Sequence, residues 1–230
     1  MTTEMRAIGG RLTAVTFRRS ARARKISLRI DARAEGVLIT LPARASHKAG
    51  LDLLAAHESW AAEKLAALPP PLRFCAGAVV PVNGVPHEIV HAPGARGGAW
   101  AEAGCLYVTG GEEFLPRRVT DFLKREARTR LTALVAHKAA AAAVKPAALR
   151  IKDTRSRWGS CAPDRTLAFS WRLICAPDYV QDYVVAHEVA HLRHMNHGPS
   201  FWALCADLSP HKAAASAWLG AQGLALLRMG

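Results

Sequence analysis

Apolar and polar positions alternate from the start of the chain. Ile26, Leu28 and Ile30 alternate with Ser27 and Arg29, and Val37, Ile39 and Leu41 repeat the pattern after a turn around Ala34-Glu35-Gly36. Residues 6–41 therefore read as strands with one buried face. Ser46 then caps an expected helix over residues 46–68, with Leu51, Leu54, Ala55, Leu65 and Leu68 inward, until Pro69-Pro70-Pro71 stops it. Asn83-Gly84 between two valine-rich runs predicts a hairpin over residues 79–90. A short strand is expected at 105–109, after a loop at 93–98. Residues 115–144 predict a long helix whose stripe is Val119, Phe122, Leu123, Ala127, Leu131, Leu134 and Val135. Three short strands (149–152, 157–161 and 167–173) precede a nearly all-apolar helix opened by Pro177. Two short apolar helices close the sequence, one around Phe201 to Leu208 and one after Pro210.

The apolar helix carries the candidate chemistry. Tyr179, Val180, Tyr183, Val184, Ala186, Val189, Ala190 and Leu192 would bury it, yet His187, Glu188 and His191 lie among them. Buried polar groups are costly without partners. Two histidines four apart share one helix face and can reach one ion, and the glutamate after the first can take a proton from a water there, which is the logic of the zincin peptidases. Asn196, Gly198 and Pro199 predict that the helix ends just before His197. A turn there would swing His197 back as third ligand. Asp207 and His211 are the rival ligands. His87 and His91 are also four apart, but on a strand that spacing spans about 13 Å, so they are read as exposed.

Charge adds one feature. The formal net charge is +13 over 230 residues, which favours polyanionic partners such as nucleic acid. Arg18, Arg19, Arg22, Arg24, Lys25 and Arg29 form a run without an acid, equally readable as a solvated strand face that discourages edge pairing. The five cysteines show no CxxC pair, as suits a reducing compartment. No apolar run follows the N-terminal charges and no stretch of about twenty residues is free of charge, so no secretory signal or membrane span is expected. A cytoplasmic protein is the expectation.

The run RSRWGSC (residues 155–161), followed by FSWRLICAPDYVQDYVVAHEVAHLRHMNHGPSFW (residues 169–202), resembles the YgjP-like metallopeptidase family, which is related to SprT-like proteases. SARARKISLRI (residues 20–30) and Ala217-Trp218-Leu219 extend the resemblance over nearly the whole chain. It implies an α+β fold. A zincin-like metallopeptidase domain over residues 113–230, its HExxH helix packed on a small sheet, would follow a β-rich N-terminal region with one helix over residues 1–112. It also implies Zn2+ held by His187, His191 and His197, with Glu188 as the catalytic base acting on a zinc-activated water.

A polypeptide substrate follows from that reading. Trp158 and Gly159 are candidates for an edge strand on which an extended substrate pairs. Arg157, Tyr183 and His211 are candidates for a second group that stabilises the oxyanion. Two other readings remain open at this level: a nucleic-acid-associated protease of SprT-like kind, and a non-enzymatic binding module with a structural zinc. The second is disfavoured because structural sites are usually closed by four protein ligands.

Overall fold

Two hairpins laid side by side make the first sheet. The computed structural model describes residues 1–230. Strands β1 (Thr2–Ile8) and β2 (Arg11–Ser20) pair antiparallel, as do β3 (Ser27–Asp31) and β4 (Gly36–Pro42), and β2 runs parallel to β4. The order is β1-β2-β4-β3. Alternation buries Val15, Phe17, Val37, Ile39 and Leu41 with Leu54, Ala61 and Leu65 from the helices that follow. Ser46 caps α1 (His47–Ala56) as expected, its Oγ accepting from the Ala49 amide at 3.0 Å. The single helix expected over 46–68 is two, because His57 leaves helical geometry at φ −121° before α2 (Glu58–Ala66) starts.

The second sheet has the same plan. β5 (Val79–Val82) and β6 (Val85–His91) form the hairpin that Asn83-Gly84 predicts, with both turn residues at positive φ, 51° and 77°. β7 (Ala99–Glu102), which the sequence pattern did not single out, pairs with β8 (Cys105–Val108), and the order is β5-β6-β8-β7. Val80, Ile89, Leu106 and Val108 on its inner face join one core with Val119, Leu123 and Leu131 of α3 (Leu115–Ala141).

The chain divides into two compact units, Met1–Pro71 and Leu72–Gly230. This differs from a division between residues 112 and 113. The hairpin β5–β6 looked like a continuation of the N-terminal strands, but its apolar face belongs to the core of α3 and of the helices beyond it.

The third sheet, β10-β11-β9, is built from β9 (Ala148–Lys152), β10 (Gly159–Cys161) and β11 (Thr166–Ser170). β11 pairs parallel with β9 and antiparallel with β10, which leaves β10 an outer strand. A 3-10 turn over Trp171–Cys175 leads to α4 (Asp178–Ala190), which touches α3, β10, α5 (Pro199–Leu208) and α6 (Lys212–Leu227). Arg172, wholly buried in that turn, bonds to Asp153 and to the Met229 carbonyl and so fixes the end of the chain. All five cysteines are free. No helix is long and apolar enough to cross a membrane.

Candidate active site

Helix α4 is held at its start and along its length. The Asn83 amide donates to the Ile174 carbonyl at 2.7 Å, and Gln181 Nε2 donates to Asn83 Oδ1 at 3.1 Å and to the Ala176 carbonyl at 2.8 Å. Gly84 lies so close to Pro177 that a Cβ would stand 2.8 Å from its Cα. The hairpin turn is thus a seat for the first turn of α4. From α3, Arg130 pairs with Asp178 at 3.2 Å, and buried Lys138 bonds Asp182 at 2.6 Å and the Leu208 carbonyl at 2.7 Å.

The helix ends earlier than the sequence suggests. His191 is its C-cap, and successive short bonds from Leu192, Arg193 and His194 back to Val189 and Ala190 close the last turn. His191 Nδ1–H donates to the His194 carbonyl at 3.0 Å. Residues 192–198 then turn back, so His197 returns to the face that carries His187 and His191.

The three histidines offer ligand atoms that all lie within 4.8 Å of one another. His187 Nε2 and His197 Nε2 are 3.2 Å apart, close to the roughly 3.3 Å between two nitrogens bound tetrahedrally at about 2.0–2.1 Å. Phe201 packs against all three rings, with centroids 4.5–5.0 Å away. The carbonyl of His194 accepts from His191 Nδ1, and the Glu188 carboxylate lies 3.3 Å from His187 Nδ1. With Nδ1 carrying the proton in each ring, Nε2 keeps its lone pair. Burial, reinforced by neighbouring His187 and His197, holds His191 below the ordinary imidazole range, which favours the neutral form a metal needs. The donor set fits a divalent ion of borderline softness. Asp207, exposed on α5, and His211, whose ring meets Tyr179 edge-on at 6.1 Å, stand outside the group.

Glu188 is 7% exposed and lies against β10. A Cβ on Gly159 would stand 2.5 Å from its Cγ and 2.7 Å from Oε1, so this carboxylate fits only because residue 159 has no side chain. A cavity of about 220 Å³ opens beside Glu188 and His187. Trp158, Gly159 and Tyr183, three of the residues singled out from the sequence, line it, as do Val184 and Leu219. Arg157 is exposed just before β10, its carbonyl accepting from Thr154, and does not line the cavity. The contributions of Leu219 and Phe201 were not singled out from the sequence. Both sit in ordinary helical apolar patterns, and only the tertiary fold turns them inward. Cys161 on β10 is also near, its thiol pushed up by burial and then by the charge of Glu188.

A family model described as YgjP-like, metallopeptidase domain, matches residues 24–222. The chain belongs to the YgjP-like metallopeptidase family. A YgjP-like metallopeptidase domain is a metal-dependent hydrolase of polypeptides, and the mixed α+β fold and the three-histidine group suit one. No curated protein and no solved structure matches the chain. The other possible ion-binding pair is taken up elsewhere: His87 and His91, expected to be exposed, are half-buried and bond to the carbonyls of Val85 and Gly110 at 2.8 and 2.6 Å.

Proposed function

We propose that this chain is a zincin-like, zinc-dependent peptidase in which His187, His191 and His197 hold the ion and Glu188 is the general base. The observation that carries this reading is a convergent three-histidine group beside a carboxylate that β10 accommodates by a missing side chain. When bound, Zn2+ lowers the pKa of a coordinated water to about 7 and polarises the scissile carbonyl. Glu188 takes the proton from the attacking water at a carboxylate oxygen and passes it to the leaving amine. The His194 carbonyl orients His191, and Phe201 excludes water from the back of the three rings. Tyr183 sits edge-on to His187 at 6.1 Å, and burial pushes its phenol above the ordinary range. β10 is an outer strand whose face meets Glu188 at Gly159, and its free edge is the place for an extended substrate backbone to pair.

Two variants test the assignment. Glu188→Gln keeps one zinc per chain by elemental analysis while hydrolysis of a denatured protein substrate falls about 10²–10⁴-fold. His197→Ala loses most of the metal. Full zinc in His197→Ala would remove it from the ligand set, and undiminished hydrolysis by Glu188→Gln would remove the base.

A further inference from the structure

The first unit carries a groove of its own. It measures about 440 Å³ and is lined by Leu28 of β3, Leu53 of α1, Trp60 of α2 and His57 between the two helices. All four belong to Met1–Pro71, and none of the three grouped histidines does. Trp60 is 40% exposed. The groove runs beside a strand with a free edge: β3 is outermost in its sheet and pairs with β4 alone. Ile26, Leu28 and Ile30 pack against the core of the unit but are only half-buried, since the sheet ends with them. An apolar row at an open edge is a template for one more strand.

Charge decides which strand. Leu28 stands opposite buried Ile39, so Arg29, next along β3 and opposite Leu38, points to the other face of the sheet. Arg22, Arg24 and Lys25 lie in the approach to β3. All four basic residues are exposed and none is held in an ion pair. A second copy of this chain, added edge to edge about a two-fold axis, would bring the same four charges against these, and like charges across a strand pair repel. Single-stranded nucleic acid is gripped by several aromatic faces in succession, and Trp60 stands in this groove with two leucines. An extended polypeptide meets both demands at once. Its side chains alternate, so one set reaches the groove and the other reaches the face of Arg29. We infer that the free edge of β3 docks an extended acidic segment of a partner polypeptide by strand addition, with its apolar side chains beside Trp60 and its carboxylates towards Arg29 and the basic approach. The inference stands apart from the peptidase reading, because it uses no residue of the second unit.

The test uses the full chain carrying Glu188→Gln, so that no probe is cut, and follows dye-labelled peptides by fluorescence polarisation. A peptide in which glutamate alternates with leucine and phenylalanine is expected to bind about tenfold or more tighter than the same peptide with lysine for glutamate, and to weaken as salt rises. Trp60→Ala, at an exposed position, should weaken it about tenfold or more. Lys25→Glu combined with Arg29→Glu should exchange the preference, so that the lysine peptide binds better; that gain also shows the variant is folded. Strand addition uses every second amide of the incoming chain. N-methylation of one alternate set should therefore abolish binding, and of the other set should leave it. Failure of the glutamate peptide to bind, binding that neither Trp60→Ala nor the charge exchange alters, or equal tolerance of both methylated sets overturns the inference. So does tighter, Trp60-dependent binding of oligothymidylate, which would give the groove to nucleic acid. Self-association of the chain that Trp60→Ala abolishes overturns it too, since the occupant would then be a second copy.

Discussion

Gly159 has no side chain, and Glu188 fills the space. Alanine at 159 would place a methyl 2.5 Å from Glu188 Cγ, and neither partner has slack, because β10 is bonded to β11 and Glu188 is buried on α4. Gly159→Ala is therefore expected to turn the carboxylate aside and to lower hydrolysis at least tenfold with zinc content unchanged, since the atoms a methyl there would meet first all belong to Glu188. Elemental analysis beside a kinetic assay separates this from loss of the ion. His191 makes a second prediction. Burial lowers its pKa in the folded chain, so below the ordinary value near 6.5 the unfolded chain binds the proton more readily. Its contribution to stability is intact above that pH and is lost as pH falls below it. The thermal midpoint of the chelator-treated chain should drop between pH 7.5 and 5.5, with a shallower drop for His191→Gln. The motif histidines and Glu188 were legible in the sequence because four-residue spacing on a helix is a local property. That Gly159 makes room for Glu188 was not legible, because strand and helix meet only in the fold.

Among the elements, α4 depends most on its neighbours. Lys138 of α3 is almost wholly buried and ties Asp182 of α4 to the last carbonyl turn of α5. Lys138→Met would leave Asp182 and the Leu208 carbonyl without that donor, and a loss of about 2–3 kcal/mol in denaturant unfolding is expected. Restoring part of it by adding Asp182→Leu would show that the cost is an abandoned charge. Elements with strong local signals were read closely: the Ser46 cap, the Asn83-Gly84 hairpin and the long α3 stripe all have physical causes within a few residues. The break at His57 has no proline or glycine to announce it, and β7 is too short for an alternation to register. The end of α4 at His191 was placed too late because the decisive bond, from His191 to the His194 carbonyl, is made by a ligand candidate and not by a helix-breaking residue.

On the scale of the molecule, each unit has its own apolar core. The whole candidate site, from Trp158 to Leu219, lies in Leu72–Gly230. A chain beginning at Leu72 is expected to fold, to bind one zinc and to keep its hydrolytic activity, which circular dichroism, metal analysis and a kinetic assay would check. Pro69-Pro70-Pro71 was read from the sequence only as the end of a helix, because the strands that follow it resembled those before it. The ligand set has a consequence of its own. All three proposed ligands fall within residues 187–197, so a chain that has lost its tertiary structure still holds them on one short tether. An ion that binds both states stabilises the native one only by the difference in affinity. Zinc should thus matter more to turnover than to the melting temperature: stripping it would silence the enzyme well before it unfolds the protein.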